Sequence, residues 1–153
     1  MEKQLPSQWL EIQHRDIDAG VAGLLDGSRG ANALLAALRL LRTHIHIEEQ
    51  VLFPPLKAAG LTMPVFVMKR EHAQMWALLA QLDAACGADA PADDLKALAR
   101  TLFQLLQMHN NKEEQIVYAA ADRLVDADGS TLTLKALQDA RMPEGWTCAL
   151  AAP

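Results

Sequence analysis

A chain of 153 residues is long enough for one domain with a real hydrophobic core. Hydrophobic residues at 51% and charged residues at 22% exclude a disordered or fibrous chain. A net charge of -5 without any Lys/Arg cluster excludes a nucleic-acid-binding surface, and no apolar run approaches a membrane span. The start, Met1-Glu2-Lys3-Gln4-Leu5-Pro6, has no leader-like apolar core, so a cytoplasmic protein is expected. Cys86 and Cys148 lack CxxC spacing and read as two reduced thiols.

Aromatic residues make up only 5%, Val and Ile are sparse, and Ala and Leu dominate, which favours helix over sheet. The first helix is expected from about Pro6, suited to a first turn, to Leu25. Asp26-Gly27-Ser28-Arg29-Gly30 reads as a turn. The second helix runs from about Ala31 to Ala59, with a disturbance expected at Pro54-Pro55. Gly60-Leu61-Thr62 breaks it, and the third helix runs from Thr62 and Pro64 to Cys86-Gly87. Pro91-Ala92-Asp93-Asp94 opens the fourth, its acids suiting the positive end of the helix dipole. That helix is expected to end near Asp126-Ala-Asp-Gly129. A short helix from Ser130 to about Arg141 and an irregular tail to Pro153 follow. Short connections force antiparallel neighbours. The expected fold is all-α: an up-down-up-down four-helix bundle over residues 1–126, with residues 127–153 packed on the same domain.

The segment His44-Ile-His-Ile-Glu48-Glu49-Gln50-Val51-Leu52-Phe53 recurs as His109-Asn-Asn-Lys-Glu113-Glu114-Gln115-Ile116-Val117-Tyr118. Residues four apart on a helix differ by only about 40° in direction, so each copy projects an imidazole and a carboxylate from one face. Leu40, Leu41 and Val51 flank the first copy and Leu105, Leu106 and Ile116 the second, at the same offsets. Four of the five histidines, His14, His44, His72 and His109, fall one per helix. Counted from the connecting turns, these and Glu48 lie within about one or two turns of a common height. Buried together, such groups are expensive unless something pairs them, and a metal does so.

Four His and two Glu are too many for one ion and suit two, with the carboxylates bridging. The mixed nitrogen and oxygen set points to Fe, Mn or Zn rather than Mg or Ca. Iron is favoured because two carboxylates leave room for a bridging oxide or hydroxide, and because the ligand set resembles that of a family of iron proteins.

The ordered set resembles the hemerythrin-like, or HHE cation-binding, family, over roughly Leu10 to Leu124. The resemblance rests on His14, the His44-to-Glu48 motif with its trailing Leu52-Phe53-Pro54, Glu71-His72, and the His109-to-Glu113 motif. It implies that His14 and His44 hold one iron, His72 and His109 the other, and that Glu48 and Glu113 bridge. Oxygen-carrying members have a second His four residues after the one matching His72, where this chain has Trp76. They also have an Asp five residues on where this chain has Glu113 at a spacing of four. Both departures resemble the branch linked to nitrosative and oxidative stress, iron-centre repair and iron sensing.

His46 points about 200° away from His44 and is expected on the surface. Asp18, one turn after His14, is expected beside the ligands or in solvent. Glu11-Ile-Gln-His14 matches a ferritin-type Glu-x-x-His, but only once. Glu49 and Glu114 diverge from the adjacent ligand by about 100°, which suggests contacts between helices or with solvent. Trp76 is expected as a plug beside the site, Tyr118 as a packed ring, and Trp9 and Trp146 as packing residues, the latter pinning the tail. The expected function is a non-haem di-iron binding protein for O2, NO, redox or iron sensing or a stress response, with an enzymatic role left open. An enzyme reducing peroxide or nitric oxide, or a repair protein, is the alternative. An oxygen carrier or a structural metal bundle ranks below them. The protein partner and oligomeric state are not legible.

Overall fold

The computed structural model describes residues 4–125 and 130–153, and no β-strand occurs among them. Four long helices form the expected bundle. Helix α1 is Pro6–Asp26. Helix α2 comprises Ala31–Ile47, a single π turn at Glu48–Leu52, and Phe53–Ala58. Helix α3 is Thr62–Gly87. Helix α4 comprises Ala92–Lys112, a second π turn at Glu113–Val117, and Tyr118–Val125. The last helix, α5, is Leu134–Asp139, shorter than expected at both ends. The expected end of the fourth helix at 126–129 lies outside the described residues. No helix of the described residues is long and apolar enough to cross a membrane.

Local chemistry sets the helix ends. Pro6 opens α1, and the Leu5 amide donates to Gln8 Oε1 at 2.8 Å. Gly27 ends it at φ 81°, a left-handed conformation that side chains disfavour. Asp93 and Asp94 occupy the first turn of α4. The hydroxyl of Thr133 caps α5 by accepting from the Ala136 amide at 3.0 Å.

Helix α1 packs against α2 and α4, and α3 against α2 and α4. Gly20 allows the α1–α2 approach: a Cβ there would lie 2.6 Å from Ala37 Cβ and 3.0 Å from the Ala33 carbonyl oxygen. Two apolar clusters fill the bundle. Ile17, Leu38, Leu41, Ile45, Met75, Leu79, Leu102 and Leu106 belong to one. Leu10, Ile47, Leu52, Phe53, Met68, Val117 and Tyr118 belong to the other. In sequence, His14 stands between Leu10 and Ile17, His72 between Met68 and Met75, and His109 between Leu106 and Val117. Each helix therefore crosses from one apolar cluster to the other through a polar layer.

Beyond α5 the chain packs back on the bundle. The Trp146 ring stands edge-on to Trp76, with centroids 5.5 Å apart, and to His46 at 4.8 Å. The Arg42 guanidinium lies 5.8 Å above the Trp76 ring and pairs with Asp83 at 2.5 Å. Cys148 is buried in the first apolar cluster, and neither cysteine is in a disulfide.

Candidate metal centre

His14, His44, Glu48, His72, His109 and Glu113 are all buried, the two glutamates completely. They form two overlapping groups of potential ligands. One is His14, His44, Glu48 and Glu113; the other is Glu48, His72, His109 and Glu113; within each, the ligating atoms lie within 4.8 Å of one another. The carboxylates belong to both groups because each sends one oxygen to either side. Glu48 Oε2 lies 3.4 Å from His44 Nε2, and Glu48 Oε1 lies 3.1 Å from His72 Nε2. Glu113 Oε1 lies 3.1 Å from His14 Nε2, and Glu113 Oε2 lies 3.3 Å from His109 Nε2.

All four imidazoles turn Nε2 inward because something outside holds Nδ1. His14 Nδ1 is 2.9 Å from Glu114 Oε2, and His44 Nδ1 is 2.6 Å from Gln13 Oε1. His72 Nδ1 is 2.7 Å from Glu49 Oε2, and His109 Nδ1 is 2.9 Å from Glu71 Oε1. These partners are oxygens that can only accept, so each Nδ1 carries a hydrogen. In the neutral ring that leaves the Nε2 lone pair facing the centre. Two of the four acceptors are held in turn: Glu71 pairs with Lys112, and Glu49 Oε1 accepts from the Ala149 amide at 2.8 Å.

Glu49 and Glu114 point about 100° from the neighbouring glutamate, toward adjacent helices, and there they reach His72 and His14. Both doubled glutamates sit at the start of a widened π turn, with Glu48 and Glu49 buried together. The prolines do not cause this widening. The second π turn is followed by Tyr118-Ala119-Ala120, with no proline, whereas the first precedes Pro54-Pro55.

Burial and charge oppose each other here. Burial disfavours the His14 imidazolium, but hydrogen bonding to Glu113 and the charge of Glu48 outweigh it and raise its pKa to about 9. His109 is likewise penalised by burial and raised to about 10 by Glu113 and Glu71. His72 moves up for the same reason, under Glu48 and Glu49. Burial alone would raise Glu48 and Glu113. The imidazoles beside them hold Glu48 well below the carboxylate range and Glu113 below it. Protons thus supply the positive charge that the carboxylates demand. One oxygen is poorly served: Glu113 Oε2 is buried, and its neighbour His109 Nε2, at 3.3 Å, is not placed to make a well-formed hydrogen bond to it. A cation among these atoms would serve it and displace the protons, so the residues fit a metal.

Other expectations fare differently. His46 is not a surface residue; it is only 5% exposed, because Trp146 covers the face that points away from the centre. Its Nδ1 has no partner, and burial lowers its pKa. Asp18 is half-buried in a polar cleft of about 350 Å³ that it lines with Glu11, His14, Arg15 and Glu114. Trp76 lies against Trp146 and Arg42. Tyr118 is more than a packed ring, since its hydroxyl enters the centre, 2.9 Å from His14 Nε2 and 2.7 Å from Glu48 Oε2. Gln13 is a site residue that the motif search passed over. Its one signal was its place beside His14 on an inward-facing helix.

No curated protein and no solved structure shows a significant match to this chain. The family model of the hemerythrin HHE cation binding domain matches residues 5–121, most of the chain and all six candidate ligands. On that match, and with the buried His/Glu layer it encloses, the chain belongs to the hemerythrin HHE cation-binding family.

Proposed function

We propose that the protein is a non-haem di-iron binding protein that senses or responds to a small ligand, O2 or NO, or to iron itself. The coarser statement, that it binds metal, follows from the family and the buried cluster. One observation carries the finer reading: the two potential ligand groups share Glu48 and Glu113, each with one oxygen toward either side. Two carboxylates shared in this way suit two ions, and an imidazole-carboxylate set suits iron, manganese or zinc. Iron, when bound, supplies affinity for small diatomic ligands and one-electron chemistry.

The protein's own residues have separate tasks. His14, His44, His72 and His109 present lone pairs, and Glu48 and Glu113 offset the positive charge of the ions. Gln13, Glu114, Glu49 and Glu71 fix ring orientation through Nδ1. The two apolar clusters exclude bulk water on either side of the layer. The polar cleft beside His14 opens the outer edge of one half to water and protons.

Metal analysis after anaerobic loading with ferrous iron tests this reading. Two irons per chain are expected, with the count unchanged in His46→Ala and lowered in His109→Ala. One ion, or none, in the unaltered protein overturns it.

A further inference from the structure

The repeated segments differ at their last position, which is Phe53 in α2 and Tyr118 in α4. In an α-helix, a residue five beyond the glutamate would point about 140° away from it. The π turns bring it round. The Phe53 amide donates to the Glu48 carbonyl, and the Tyr118 amide to the Glu113 carbonyl, so five residues make one turn. Both rings are buried, and they face opposite halves of the centre. Phe53 stacks on His72, with centroids 5.6 Å apart and planes within 15°. Tyr118 stacks on His14 at 5.4 Å and 23°.

Only one ring carries an oxygen. Tyr118 Oη lies 2.9 Å from His14 Nε2, 3.2 Å from His44 Nε2, 2.7 Å from Glu48 Oε2 and 3.0 Å from Glu113 Oε1. These four residues are the complete first ligand group. A phenol donates one proton and accepts others, so the two carboxylate oxygens, which only accept, compete for a single hydrogen. The oxygen therefore sits among the groups that would surround an ion. The other group has no equivalent, because Phe53 has nothing to offer.

We propose that Tyr118 is a fifth protein ligand, through its phenolate oxygen, to the metal of the His14/His44 half alone, and that Phe53 leaves the His72/His109 half without one. The proposal rests on the two-metal reading above. On binding, the phenolic O–H bond breaks, its electron pair stays on oxygen and forms the oxygen–metal bond, and the proton passes to water. A phenolate is a hard anionic donor and suits ferric iron best. The two ions are then inequivalent, and a small exogenous ligand is directed to the half walled by Phe53.

The test uses the fact that Tyr118 is the sole tyrosine of the chain. The protein is loaded with iron, oxidised to the ferric state, and examined by metal analysis, visible absorption and resonance Raman spectroscopy. Two irons per chain, an intense phenolate-to-iron band and tyrosinate ring vibrations are expected. Tyr118→Phe should lose the band, and Phe53→Tyr should roughly double it by giving the second half its own phenolate. The unaltered protein decides the matter even if a variant fails to fold. Two irons without the band mean that Tyr118 stays a phenol, and one iron without it means that the phenol fills that half. Either result overturns this proposal and leaves metal binding standing, whereas no bound iron removes both readings.

Discussion

Each half of the centre takes one histidine from a copy of the same repeated pattern, yet the two halves are supported differently. In the His72/His109 half, both Nδ1 acceptors are themselves anchored: Glu49 by the Ala149 amide and Glu71 by Lys112. In the His14/His44 half, the Glu114 side chain is 37% exposed and stands at the edge of the polar cleft. Each copy of the repeat therefore supplies one histidine and one shared glutamate, His14 and His72 come from outside it, and the contacts of Ala149 and Lys112 make one half more rigid. The second half is expected to hold its metal geometry firmly, and the first to exchange metal and protons more readily.

The largest effect should come from emptying both halves. Metal bound only by the folded state, at roughly a thousandfold excess over Kd, stabilises it by about 4 kcal/mol. Chelation should therefore lower the melting temperature clearly, and equal melting curves after confirmed metal loss would refute this. The loss should depend on pH. His14 and His109 have folded pKa values raised to about 9 and about 10, so their pairing stabilises the metal-free protein fully below the unfolded value near 6.5. That contribution fades as pH rises through 9 to 10, while metal no longer competes with protons. The gap between metal-loaded and metal-free melting temperatures should widen from pH 6.5 upward, as calorimetry would show.

Next in size are the supports. Glu49→Ala removes the acceptor of His72 and the anchor of the tail together, and should weaken binding of one ion by about 10–100-fold. Glu114→Ala removes a half-exposed acceptor and should cost less. Competition with a chromophoric chelator would rank them, and equal losses would erase the distinction between the halves. A smaller effect is expected from Trp146→Ala, which uncovers His46 and Trp76 and should destabilise the fold by about 1–3 kcal/mol while leaving the metal count at its original value. Gly20→Ala should be destabilising although alanine is the better helix former. The new Cβ meets the Ala33 carbonyl and Ala37, and only a clear loss in denaturant midpoint agrees with that crowding.

How much of this was legible depends on which period a residue obeys. The four helices and the His-to-Glu pairs follow the 3.6-residue repeat, and their directions could be read by counting. Glu49 and Glu114 make the contacts between helices that a divergence of about 100° allows. Tyr118 is governed by the second π turn, which leaves no mark in hydrophobic periodicity, so counting at about 100° per residue aims it wrongly. His46 fails for another reason. Its direction away from His44 was correct, but that face is covered by Trp146 from a distant part of the sequence. A direction read from one helix says nothing about what arrives there from elsewhere. Ligand motifs mark groups that can ligate and carry no rule for those that hold them, so nothing in them marks Gln13.

The link between the tail and Glu49 is made by a main-chain N–H, which every residue except proline possesses. The side chain at 149 can thus change without loosening His72, and a scan of single alanine replacements reaches the contact only from its Glu49 end, since Ala149 is already alanine. The informative replacement there is proline. A contact of this kind is conserved as a path of the backbone, and no column of identical letters in a set of related sequences need record it.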